Sequence, residues 1–212
     1  MIKGILLDFD GTIANTGELI LSSFAYAVKT CLGREAKREE MLATFGLVIH
    51  DAFFQFTQDE NKITEMRDIY RETHNQNHDR MIKIYPGVRE AFEAWKKQGI
   101  GIGVVTSKKS PMVTHGLEIL GLLDYVDAIV AADHVINGKP DPEPMLKGIE
   151  MLGFKPEECI AVGDSPFDIM SGKRAGMKAY AVSYTDLDKN RFVGEGEPTA
   201  WVNSLTEISI DN

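Results

Sequence analysis

Two patterns of apolar spacing divide the chain. Short, nearly continuous apolar runs stand at 4–9, 100–105, 126–131, 159–162 and 179–182. Between them, at 88–98, 111–120, 142–152 and 167–175, apolar residues recur every three or four positions. A run without polar alternation is buried on both faces, and its alternation with amphipathic helices predicts parallel βαβ units. Ser110 and Pro111 supply a helix start, and Gly153 a helix stop. Residues 201–202 read as an edge strand and 205–208 as a short helix. The stretch 15–84 has a different texture. Helical spacing recurs through 18–31 (Leu19, Phe24, Ala27, Val28, Cys31), 38–45, 49–56 and 60–78 (Ile63, Met66, Ile69, Tyr70), and no strand is expected there. Met41, Phe45, Phe53, Phe54 and Phe56 read as the core of this bundle. The expected fold class is therefore α/β: a Rossmann-like parallel sheet flanked by helices, built from 1–14 and 85–212, with an inserted helical-bundle domain at 15–84.

In open α/β sheets ligands gather at the carboxyl ends of strands, so the residues leaving each strand carry the chemistry. The first run exits into Asp8-Phe9-Asp10-Gly11-Thr12. In extended chain, residues i and i+2 share a side, so both carboxylates face one spot. Their repulsion is about 4 kcal/mol at an effective dielectric of ~20, and a bound cation or a shared proton must offset it. The second run exits into Thr106-Ser107-Lys108-Lys109-Ser110, whose hydroxyls and backbone N–H groups at a helix start suit a phosphate, although Thr106 also reads as a plain N-cap. A third exit leads to Gly138-Lys139-Pro140-Asp141-Pro142, a stiff loop that would fix a cation in place. The fourth, Gly163-Asp164-Ser165-Pro166-Phe167-Asp168, again sets carboxylates after a strand. Carboxylates with a substrate phosphate make the hard oxygen set that Mg²⁺ prefers. Ionised Asp8 and Asp164 with a dianionic phosphoryl group total about −4, Mg²⁺ and Lys139 about +3, so a protonated Asp10 leaves the site near neutral.

Composition narrows the partners. A net charge of −9 over 212 residues argues against nucleic-acid backbones, but a local cationic pocket still admits a small phosphorylated substrate. Cys31 and Cys159 lack zinc-site spacing and are expected as buried free thiols. No secretory leader and no apolar stretch long enough for a membrane span is read, so a cytoplasmic location is expected and no membrane partner. Monomer and homodimer stay open.

Together, Asp8-Phe9-Asp10-Gly11-Thr12, Val105-Thr106-Ser107, Gly138-Lys139-Pro140 and Gly163 to Asp168 resemble the four motifs of the haloacid dehalogenase-like hydrolases, in their usual order. The helical insert is similar to the cap domain of the phosphoglycolate phosphatase and β-phosphoglucomutase branch. Asn15-Thr16-Gly17-Glu18-Leu19-Ile20, Ser22-Ser23-Phe24, Tyr70-Arg71, His78-Asp79 and Lys139-Pro140-Asp141-Pro142-Glu143-Pro144 resemble the bacillus-type pyrophosphatases of that superfamily. The resemblance implies Asp8 as the nucleophile that forms an aspartyl-phosphate, and Asp10 as the group that protonates the leaving group and then activates water. An acid at Asp10 favours a phosphatase over a dehalogenase. Mg²⁺ would be held by Asp8, the backbone carbonyl of Asp10 and Asp164. Thr106 and Lys139 would hold the phosphoryl group, with Gly11, Thr12 and Ser107 in the same cradle, and Asp168 would orient Lys139 or a metal-bound water. The insert would close over the site about hinges near 15–17 and 85–87. His50, Arg67, Arg71, His74 and His78 are its candidate contacts to a second phosphate, although a solvated helix face is the more ordinary reading of each. The implied substrate is inorganic pyrophosphate; the alternatives are a phosphoglycolate or sugar-phosphate phosphatase or a β-phosphoglucomutase-like enzyme. A phosphoreceiver domain is disfavoured, because its accepting Asp lies on a later strand and it has no helical insert.

Overall fold

Ile5, Leu6 and Leu7 are fully buried because β1 (Gly4–Leu7) has a parallel partner on each side. The computed structural model describes residues 1–45 and 47–210. In chain order the remaining strands are β2 (Ala14–Asn15), β3 (Lys83–Ile84), β4 (Gly101–Val105), β5 (Ala128–Val130), β6 (Cys159–Gly163), β7 (Lys178–Val182) and β8 (Ala200–Val202). The main sheet is parallel, in the order β5-β4-β1-β6-β7-β8. Strand order reverses at β1, so a crevice opens at the carboxyl ends of β1, β4 and β6, where ligands of such sheets bind. The helices that cover this sheet are α5 (Val88–Lys97), α6 (Ser110–Ile119), α7 (Glu143–Leu152) and α8 (Pro166–Arg174). The tail supplies the parallel edge strand β8 and a 3-10 turn at Leu205–Glu207.

Local chemistry moves some boundaries. Ser110 is the first residue of α6 and not its cap; its N–H and hydroxyl both donate to Asp133, at 2.8 and 2.7 Å. Strand β5 is shorter than its apolar run, because the Asp127 carboxylate, held by Lys96 at 2.6 Å, accepts the Ile102 N–H at 2.8 Å where a strand carbonyl would otherwise stand. The α7 stop is as expected, with Gly153 left-handed at φ 73°. The antiparallel pair β2–β3 was not expected, since two residues are too few for alternation to show.

Residues Thr16–Ile82 form a second compact unit. It holds α1 (Gly17–Leu32), α2 (Arg38–Leu42), α3 (Ile49–Phe54) and α4 (Glu60–Met81). The rings of Phe24 and Phe53 stack at 4.3 Å, and Phe56 meets Phe24 edge-on at 5.1 Å. Met41 and Phe53 are buried in this core, and Phe45 and Phe56 pack against it. Phe54, expected there too, is 41% exposed. Neighbouring helical residues point about 100° apart, so Phe53 and Phe54 cannot face one core, and Phe54 lies against His50 instead. His74 and His78 are also unlike a solvated face. They continue the α4 stripe by four-residue steps from Tyr70, are 1% and 4% exposed, and their rings follow one another at 5.6 and 5.5 Å. Both cysteines are free thiols, Cys159 buried but Cys31 only half-buried. No described helix is long and apolar enough to cross a membrane.

Candidate active site

Asp8 follows β1 directly, and its N–H continues the ladder to the Val162 carbonyl at 2.9 Å. The side chain is thereby aimed into the crevice by a fully buried strand. Lys139 reaches it from the loop after β5. Its Nζ lies 2.7 Å from Asp8 Oδ1, 2.5 Å from Asp168 Oδ1 and 3.1 Å from the Val105 carbonyl, with 7% of the side chain exposed. The loop bearing it is tied down at several points. Glu143 accepts the Ile136 and Asn137 N–H groups at 2.8 and 2.9 Å; Ser171 donates to the Asp141 carbonyl at 2.7 Å and Arg174 to that of Pro140 at 3.1 Å. Asp168 is fixed in turn, since its second oxygen accepts from Ser165 Oγ at 2.6 Å and Ser165 N–H at 3.1 Å, the capping box of α8.

Asp10 receives a lysine of its own. Lys108 Nζ stands 2.7 Å from each carboxylate oxygen of Asp10. The sequence pattern offers a cation or a proton as the offset to two neighbouring carboxylates; the structure provides one ammonium for each. Lys108 was overlooked because one of two adjacent lysines on a hydroxyl-rich loop reads as solvated, and only the turn decides which points inward. Thr106 makes that turn. It is buried and its hydroxyl accepts the Lys108 N–H at 3.2 Å, so it does not cap α6, and its O–H proton has no acceptor among the described residues. Ser107 is exposed. Thr12 is wholly buried, and its hydroxyl has no hydrogen-bond partner among the described residues. Its carbonyl accepts from the Tyr184 hydroxyl at 2.8 Å, and the Tyr184 ring packs on Tyr85 at 4.4 Å. This tyrosine pair lacked any signal in the pattern. Gly11 is left-handed at φ 79°, and a Cβ there would fall on the Asp164 carboxylate; a Cβ on Gly163 would likewise fall on Asp168.

Asp8, Asp164 and Asp168 each offer a carboxylate oxygen within 4.8 Å of the others. Asp168 spends both oxygens on Lys139 and Ser165, whereas the Asp164 carboxylate accepts no hydrogen bond from any described residue. Burial, reinforced by Asp168 and Asp10, pushes the Asp8 carboxyl up to about 7 against the pull of Lys139. Burial, with Asp168 and Asp8 beside it, holds Asp164 well above the usual carboxylate range. Burial by itself would lower Lys139, but Asp168 and Asp8 outweigh it and keep the ammonium charged beyond the ordinary lysine range. Asp8, Asp10, Asp164 and Asp168 against Lys108 and Lys139 leave about two negative charges uncompensated when all are ionised, which one divalent cation would cancel. Carboxylate oxygens around an electrostatic deficit fit Mg²⁺.

Two of the candidate contacts in the helical unit, His50 and Arg71, are engaged within it. His50 sits between Asp51 and Glu60, 3.1 Å from each, and those hydrogen bonds raise its pKa; Arg71 lies 3.7 Å from Asp68. Arg67 has a buried Nε without a hydrogen-bond partner among the described residues.

Residues 5–182 match the haloacid dehalogenase-like hydrolase family. A protein of Bacillus cereus named pyrophosphatase PpaX is 42% identical over 207 residues, spanning 98% of this chain and 94% of that one. Among solved structures, CbbY from Rhodobacter sphaeroides in complex with phosphate superposes with a TM-score of 0.80 at 24% identity, over 98% of this chain and 96% of that one. A protein of Haemophilus somnus described as a predicted phosphoglycolate phosphatase gives 0.84 at 22%, over 96% and 95%. The match over most of the chain, joined to carboxylates and lysines converging on one crevice, settles its place: this chain belongs to the haloacid dehalogenase-like hydrolases and is a phosphatase.

Proposed function

We propose that this phosphatase hydrolyses inorganic pyrophosphate through an aspartyl-phosphate on Asp8. The observation that carries the chemistry is the arrangement around Asp8. Lys139 grips one of its oxygens at 2.7 Å, and Asp164 and Asp168 lie alongside. A nucleophile held by one oxygen keeps the other in a fixed direction for attack. As the Asp8–phosphorus bond forms, the bond to the leaving oxygen breaks, and Asp10, which has taken up a proton from water beforehand, gives it to that oxygen. Asp10 then removes a proton from water, which attacks phosphorus and frees Asp8. Thr106 and Lys139 bind the phosphoryl oxygens, and the backbone of Gly11 and Thr12 with Ser107 lines the approach. Mg²⁺ held by Asp8, Asp164 and the backbone carbonyl of Asp10 would supply the positive charge this acidic site lacks. Residues Thr16–Ile82 serve as the cap that selects the substrate.

Pyrophosphate rather than a carbon ester is supported by the 42% identity, across nearly the whole chain, to relatives named as pyrophosphatases. A panel of pyrophosphate, phosphoglycolate and several sugar phosphates, compared by kcat/KM, tests this. Pyrophosphate should lead by at least about tenfold, close to 1.4 kcal/mol in transition-state binding. A carbon ester in first place would overturn the substrate assignment and leave the aspartyl-phosphate chemistry standing.

A further inference from the structure

Lys108 is the charged side chain at this site to which the proposed reaction gives no task, yet it is one of the best held. Its ammonium is equidistant from both oxygens of Asp10, 2.7 Å from each, with 10% of the side chain exposed. The stem starts from a pinned turn. Thr106 Oγ1 accepts the Lys108 N–H, and the Lys108 carbonyl accepts the Ala132 N–H at 2.8 Å. On its way to Asp10 the ammonium passes 5.9 Å from the centre of the Phe9 ring, which is wholly buried. A carboxylate bridged through both oxygens by one cation loses the freedom to turn about its last bond. Since Phe9 also separates Asp10 from β1, Lys108 does for Asp10 what the strand does for Asp8.

We infer that Lys108 is a positioning residue: it holds the ionised Asp10 carboxylate by both oxygens, and when one oxygen leaves the ammonium to take a proton from water, the other stays on Lys108 and keeps Asp10 aimed at the departing oxygen, to which that proton then passes. This rests on the reading of Asp10 as the proton donor. Lys108 is assigned no contact with substrate. The consequence lies in which substrates suffer when it is removed. A leaving group that departs readily as an anion needs little from Asp10, and one of high pKa needs its proton in the transition state.

The test uses a series of ring-substituted phenyl phosphates, which share one shape and differ in the pKa of the phenol released, with Mg²⁺ present. The readout is kcat/KM, which covers phosphoryl transfer to Asp8 and not the later hydrolysis. Lys108→Met should lose about 10- to 100-fold on the poorest leaving group and several-fold less on p-nitrophenyl phosphate, so its plot against phenol pKa steepens. Asp10→Asn should steepen the same plot further, with a loss of about 10²–10⁴ at the poor end. Lys108→Arg, whose fork also spans two oxygens, should restore most of the wild-type slope. The double variant should fall no lower than Asp10→Asn alone, since Lys108 acts through Asp10. An equal loss across the series in Lys108→Met, or no loss, with a steepened Asp10→Asn, overturns the role of Lys108 alone. An Asp10→Asn slope equal to wild type overturns the reading of Asp10, and the role of Lys108 with it.

Discussion

The proposed reaction asks Asp8 to be a nucleophile from a place that disfavours its charge. Burial raises it to about 7, and Lys139 is the group that pulls the other way. Removing Lys139 therefore does more than remove a contact, because it leaves Asp8 and Asp168 buried without their ammonium. Lys139→Met should lower the unfolding free energy by about 3 kcal/mol in urea near pH 8, and by less near pH 5, where Asp8 can take up a proton instead; an equal cost at both pH values would contradict this account. Some of the residue-level picture was open to reading from sequence and some was not. Asp8, Asp164, Asp168 and Lys139 follow strands or sit on a loop stiffened by proline, so their convergence follows from where strands end. Lys108 and the Tyr85–Tyr184 pair depend on the path of turns, which apolar spacing does not encode.

At the scale of elements, two short segments carry more than their length suggests. The turn after β1 works only because Gly11 adopts φ 79° against the Asp164 carboxylate. Gly11→Ala should displace Asp164, lower kcat/KM by more than about 100-fold and raise the Mg²⁺ concentration for half-activity, while far-UV circular dichroism stays unchanged; wild-type Mg²⁺ dependence in this variant would refute the close approach. In α3, two adjacent phenylalanines look alike in sequence and differ in the structure. Phe53→Ala should cost about 3–5 kcal/mol by leaving a cavity beside Phe24, and Phe54→Ala less than about 1 kcal/mol, read from chemical denaturation. Similar costs would show that both rings are buried. The same contrast explains what the pattern missed. A five- or six-residue helix such as α2 or α3 has too few turns to show which side is inward, and the polar names of His74 and His78 hid a stripe that their four-residue spacing continues.

For the whole molecule the acidic cluster becomes a pH-dependent stability. The raised pKa of Asp8 means the folded chain keeps a proton that the unfolded chain, at 3.8, has already released. Without a divalent ion, stability should fall by a few kcal/mol as pH rises from about 4 to about 7 through Asp8, with Asp164 acting in the same direction. Mg²⁺ reverses the sign by favouring the charged carboxylates, so it should raise the melting temperature at about pH 7.5 and scarcely at about pH 5. A Mg²⁺ shift of equal size at both would show that these carboxylates are not its site. The parallel α/β architecture was legible from the apolar runs because double-sided burial leaves no polar alternation. The sheet order was not, since a run of buried residues records that a strand is covered and not which strands flank it.

The central claim is that Asp8 takes the phosphoryl group, and the most direct measurement is acid quench of the enzyme turning over pyrophosphate with Mg²⁺, followed by mass spectrometry of the peptide spanning Asp8. A phosphoryl adduct on Asp8, absent from a folded and inactive Asp8→Asn variant, is the predicted result. Turnover near the wild-type rate in Asp8→Asn, or an adduct on any other residue, would contradict it.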